Sequence, residues 1–130
     1  MSNDLPLLFN EPDLCAKLSQ LHESELDTLN FGVIGFDDKT VVHLYNKFES
    51  NCAGLTLQRV LGQPLFTSVA PCMNNFLVAQ RFEDAAAEGS VLDVTIDYVL
   101  TLRMRPVKVA LRLLAAPNMT TRYVLVHRPS

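Results

Sequence analysis

PVKVALRLLAAPNMTTRYVLVHR, residues 106–128, reads as two β-strands and the turn between them. Val107, Val109, Leu111 and Leu113 alternate with Lys108 and Arg112, a period of two that assigns the apolar set to one face and the charged pair to the other. The turn falls in PNMTT (117–121), and Pro106 kinks the chain away from the run before it. That run, SVLDVTIDYVLTLRM (90–104), is rich in β-branched residues and is a third strand.

Upstream, NNFLVAQRFEDAAAEG (74–89) places Phe76, Ala79, Phe82 and Ala86 on one helical face and stops at Gly89, so it predicts the longest helix. NKFESNCAGLTLQRVLGQPLF (46–66) is too broken by Gly54, Gly62 and Pro64 for one long element and predicts short helical turns, one capped by Thr56. FGVIGF (31–36) and TVVHLY (40–45), joined by the polar DDK, predict a hairpin. EPDLCAKLSQLHESELDTLNFG (11–32) carries leucines at helical spacing, with Pro12 in a first turn and Ser24 with Asp27 as a second cap, and predicts two short helices. Five antiparallel strands with helices packed on the sheet make an α+β domain of the sensory PAS type. The expected organisation is one domain over 1–130, an N-terminal helical cap over 1–29 and a PAS core over 30–130.

The composition supports that economy. With 130 residues and 48% hydrophobic content the chain can bury one core. A net charge of −3 without a Lys/Arg stripe gives nucleic acid or an anionic membrane no electrostatic basis as a partner. No segment approaches the ~20 apolar residues of a membrane span, and the N-terminus lacks a basic signal region, so a soluble cytoplasmic protein is expected. Cys15, Cys52 and Cys72 form no C-x-x-C pair, which points away from a disulfide framework or a thiolate metal site. Cys15 and Cys52 read as small half-buried side chains.

Cys72 lies in LFTSVAPCMNN (65–75), behind a proline that fixes its own φ and pushes Ala70 toward extended geometry. A thiol on such a stiff loop, at what reads as a helix entrance, is a nucleophile, an attachment point or filler. Tyr45 and Glu49 in YNKFE stand four apart; if the segment turns helically, the phenol and the carboxyl share a face. The bland alternative is an interfacial tyrosine and a solvated glutamate.

LNFGVIGFD (29–37), YNKFE (45–49), VLGQPLFTSVAPC (60–72) and MRPVKV (104–109), in this order, resemble the photoactive yellow protein family over nearly the whole chain. The resemblance implies a blue-light photoreceptor in which Cys72 carries p-coumaric acid as a thioester. It implies that Tyr45 and Glu49 hydrogen-bond the phenolic oxygen, and that the Cys72 backbone N–H binds the thioester carbonyl. It assigns Phe31, Phe66, Val69, Ala70, Pro71, Leu100 and Met104 to the pocket or its flank, with Met104 assisting recovery of the dark state. At positions 53 and 55 the chain departs from the family: Ala53 stands where a threonine commonly bonds the tyrosine, and Leu55 where an arginine often covers the chromophore.

The residue types make chemical sense for that role. A phenol titrates near pH 10, at about the tyrosine value, and burial raises it further, so only hydrogen bonds to the anion can bring it down. Tyr45 and a protonated Glu49 would give two charge-assisted bonds. The expected cycle runs through trans–cis isomerisation, loss of the Glu49 proton to the phenolate, a buried Glu49 carboxylate without a partner, and yielding of the N-terminal cap. The losses at Ala53 and Leu55 predict a phenolate slightly less favoured than in the family. The rival reading is a PAS interaction or dimerisation module that never carries the chromophore. An enzyme is not expected, since His22, His43 and His127 show no motif linking a base to Cys72, and they lack metal-ligand spacing. The downstream signalling partner is unspecified, and a monomer or weak dimer is expected.

Overall fold

The computed structural model describes residues 7–101 and 106–128. In chain order the elements are α1 (Leu14–Ser19), α2 (Glu23–Leu26), β1 (Gly32–Phe36), β2 (Val42–Tyr45), α3 (Lys47–Ala53), α4 (Leu57–Val60), a π-helical turn (Leu65–Val69), a 3-10 turn (Pro71–Met73), α5 (Ala79–Glu88), β3 (Leu92–Leu100), β4 (Val107–Ala115) and β5 (Arg122–His127). The five strands form one antiparallel sheet in the order β2-β1-β5-β4-β3.

Two apolar layers sandwich this sheet. On one face Ile34, Phe36, Val124, Val126, Leu111 and Leu113 pack against the helical connections and α5. On the other, Val33, Leu114, Tyr123 and Leu125 are covered by Leu14, Leu18, Leu26 and Leu29 of the N-terminal segment. The alternating strand residues thus serve two cores, and β5 is buried from Tyr123 through Val126.

That second layer corrects the reading of β4. Val109, Leu111 and Leu113 are buried and Lys108 is exposed, but Val107 is exposed and Arg112 is buried at 7% exposure. Arg112 points to the face opposite Leu111 and Leu113, and the N-terminal segment lies over it. Its Nε and Nη2 donate to Asp93 at 2.9 Å each, and its Nη1 donates to the carbonyls of Phe9 and Glu11 at 2.9 and 2.8 Å.

Local chemistry sets the boundaries. The helix caps at Gly54 and Gly89 take φ 76° and 64°, the left-handed region that glycine reaches without steric cost. In the β1–β2 turn Asp37 Oδ1 accepts from the N–H groups of Lys39 and Val41 at 2.8 and 3.0 Å, and Oδ2 meets His43 Nε2 at 2.9 Å. The cap of α2 is His22, whose N–H donates to Glu25 Oε1 at 2.9 Å, and not the Ser24–Asp27 pair. Pro12 precedes the Asp13 cap of α1 and so lies outside its first turn. The longest helix begins only at Ala79; Phe76 falls outside it and is 76% exposed, and Ala86 is exposed. Cys15 is half-buried as expected, whereas Cys52 is exposed.

Candidate functional site

Cys72 sits in the middle of the Pro71–Met73 turn, seven residues before α5 starts. Ala70 adopts φ −139°, ψ 68°, away from helical geometry, as the following proline demands. Cys72 is a free, half-buried thiol packed against the first core, the layer that also holds Tyr45. Its carbonyl is held in place: Tyr98 Oη donates to it, and Asn75 Nδ2 bridges Tyr98 Oη at 2.6 Å and the carbonyl at 3.3 Å. Asn75 Oδ1 also accepts from the N–H groups of Leu77 and Val78, anchoring the approach to α5.

Tyr45 closes β2, Asn46 caps α3 and Glu49 stands in that helix's first turn. The chain therefore turns helically between positions 45 and 49, and both side chains are buried, at 4% and 1% exposure. Asn46 fixes this turn through four bonds. Its Oδ1 accepts from the N–H groups of Val33 and Glu49 at 2.9 and 3.1 Å, and its Nδ2 donates to the carbonyls of Leu26 and Phe31 at 3.0 Å each. One buried amide thereby ties the Glu49 backbone to β1 and to the end of α2. Burial pushes the Tyr45 phenol up, and the nearby Glu49 carboxylate adds to the shift.

Glu49 has a partner that the sequence reading missed. Arg128 Nη1 donates to its Oε1 at 2.7 Å and Nη2 to its Oε2 at 3.1 Å. Both oxygens accept, which is the arrangement of an ionised carboxylate. Burial pushes the Glu49 pKa up, and the Arg128 guanidinium pulls against that shift. The expectation of a protonated Glu49 rests on burial and on repulsion from a bound phenolate; Arg128 adds a cation that opposes both and gives the deprotonated carboxylate a partner. Arg128 is 79 positions away in sequence and reaches Glu49 only through the pairing of β5 with β1, so local spacing carries no sign of it.

Phe66, Val69, Ala70 and Leu100 are buried in the first core and Leu55 is half-buried against it, while Ala53, at 5% exposure, is buried at the end of α3. Pro71 is exposed and acts on the turn through its ring. Phe31 is fully buried but belongs to the second core, edge-on to Phe9 with ring centroids 5.8 Å apart, so it does not join the Tyr45 side. Met104 lies outside the described residues. Ile34, unmarked by any motif, pairs with Tyr45 across β1–β2 and is buried in the same core. Among the described residues no cluster of His, Cys, Asp or Glu is placed to hold a metal, and no helix is long and apolar enough to cross a membrane.

An antiparallel five-stranded sheet with helical connections on one face, and a free cysteine packed on the same core as the buried Tyr45, define a PAS-type sensor domain. No family model matches the sequence. The photoactive yellow protein domain of the sensor histidine kinase Ppr from Rhodospirillum centenum superposes with a TM-score of 0.79 at 34% identity, covering 87% of this chain and 98% of that one. Photoactive yellow proteins from Rhodothalassium salexigens and Halochromatium salexigens are 28% and 29% identical over 120 residues, 92% of this chain and 95% of each relative. The chain belongs to the photoactive yellow protein family, a group of PAS-fold photoreceptors.

Proposed function

We propose that this protein is a blue-light receptor that carries p-coumaric acid as a thioester on Cys72 and signals through trans–cis isomerisation and proton transfer from Glu49 to the chromophore. The observation that carries the reading is the shared core: a free thiol on a proline-stiffened turn packs against the same buried layer as Tyr45, with the Glu49 carboxylate buried alongside. That donor set of thiol, phenol and carboxyl suits an acyl group ending in a phenol. When bound, p-coumaric acid supplies a blue-absorbing double bond that isomerises and a phenolic oxygen that takes up a proton.

The chain's own residues supply the rest. Cys72 Sγ displaces the leaving group of an activated p-coumaroyl donor, and the thiol proton departs with that group. Tyr98 and Asn75 hold the Cys72 carbonyl and so fix the attachment turn. Phe66, Val69 and Leu100 keep water out. Tyr45 donates from Oη, and Glu49 in its protonated form donates from a carboxyl oxygen, which are the charge-assisted bonds a buried phenolate needs. Loss of the Glu49 proton charges the side chain of a residue whose backbone N–H is held by Asn46, and the Asn46 amide also holds α2 through Leu26, which gives the N-terminal cap a route to respond. The partner that reads the cap is a protein contacted through that surface.

The test is an absorption spectrum of the protein incubated with activated p-coumaric acid, in the dark and under blue light, beside Cys72→Ala. A yellow band that bleaches and recovers, and is absent in the variant, is expected. The alternative of an interaction module without chromophore draws on the Glu49–Arg128 pair, which satisfies the carboxylate with no ligand at all. A colourless protein with a free Cys72 would favour that alternative.

A further inference from the structure

On β5, Val124 and Val126 face the first core, and Arg128, two residues on, continues the same face. Gly32 lies opposite Val126 across the β1–β5 ladder. A Cβ at position 32 would overlap Glu49 Oε1 and crowd its Cδ and Cβ, so the glycine leaves the space in which the carboxylate lies over the sheet. Three parts of the chain thus build one seat: β1 provides the gap, α3 the carboxylate and the residue that follows β5 the cation. Glu49 is 1% exposed and the Arg128 side chain 16% exposed. The other titratable groups near the guanidinium are the Tyr45 phenol on β2 and the Cys52 thiol on α3. Leu55, half-buried against the same core, brings no charge.

We propose that Arg128 is the counter-cation of this site, a positioning residue that receives the Glu49 carboxylate whenever Glu49 is ionised and releases it when Glu49 turns to donate a proton to a phenolic oxygen. The second half rests on the p-coumaric acid reading; the first does not. The charges balance throughout. One proton is shared by Glu49 and the phenolic oxygen, so with Arg128 the trio is neutral whichever of the two holds it. Deprotonation of Glu49 then leads to a change of partner, from the phenolic oxygen to Arg128, in place of a bare buried charge. An uncompensated buried carboxylate is far less stable than a paired one, so the exchange has a strong driving force.

The experiment begins on the chromophore-free protein, with infrared spectroscopy of the carbonyl stretch of a protonated carboxyl, assigned to Glu49 by its loss in Glu49→Gln. Near neutral pH the band is expected to be absent in the parent and in Arg128→Lys. In Arg128→Gln it appears, with the Glu49 midpoint raised by about one to three pH units, the usual effect of a neighbouring opposite charge. An Arg128→Gln protein that is folded yet titrates Glu49 at the parent midpoint overturns the proposal. Should Arg128→Gln not fold, nitrogen NMR of the Arg128 guanidinium in the parent decides: hindered rotation and slow proton exchange that vanish in Glu49→Gln support it, and signals unchanged by Glu49→Gln refute it. In protein loaded with p-coumaric acid, Arg128→Gln shifts the pH midpoint of the yellow form by at least tenfold in proton concentration and Arg128→Lys restores it. A chain that never takes up the chromophore defeats the receptor reading and leaves the infrared and NMR results standing.

Discussion

At residue 49 the energetics turn on where the carboxylate can go. A buried glutamate at 1% exposure is tolerable only because the guanidinium meets both of its oxygens, and that meeting depends on a missing side chain at position 32. Gly32→Ala should therefore push Glu49 off its seat, with a loss of about 1–3 kcal/mol, the range for an overpacked core position. In a Glu49→Ala background the same substitution should lose most of its effect, because the overlapping atoms are gone. Urea midpoints of the four proteins measure this coupling, and additive effects would show that Gly32 serves some other purpose. Side chains four apart in a turning segment could be read from YNKFE, since helical periodicity brings them together. Arg128 could not, because only the strand register delivers it.

Among the elements, the β1–β2 turn carries a distinct pH dependence. Asp37 accepts from two backbone N–H groups and from His43, and these hydrogen bonds draw its pKa down from 3.8 to about 2. A depressed folded pKa contributes stability that is fully present above the unfolded value and is lost as pH falls through the folded one. The stability of the parent should therefore drop between pH 3.8 and about 2 by more than that of Asp37→Asn, in thermal melts across that window; parallel pH profiles would count against the turn as the cause. DDK announced this turn because aspartate and its neighbours bond their own backbone. The π-helical turn at Leu65–Val69 and the late start of α5 left no comparable trace: a wide turn has the same apolar content as an α-helical one, and NNFLV carries a helical pattern that Asn75 diverts with its own side-chain bonds.

For the whole molecule, the consequence of two cores on one sheet is unequal stability. The strands β4 and β5 are held from both sides, while α1 and α2, six and four residues long, depend on one apolar contact surface and a few polar ties. Amides in α1 and α2 should exchange with solvent through openings of lower free energy than those of β4 and β5, by native-state hydrogen exchange; equal protection throughout would show that the cap and the sheet open as a unit. The five strands were readable from alternation and turn residues, yet the double-sided burial of β4 was not, since Arg112 looks like a solvent-facing residue until the N-terminal segment is laid across it. That arginine also determines who controls the segment. It clasps the main-chain oxygens of residues 9 and 11 and nothing of their side chains, while Asp93 steadies its other edge. The arm can therefore drift in sequence at both positions without slipping this clasp, whereas a single substitution at Arg112 undoes it: authority over the arm's attachment is vested in the sheet beneath it.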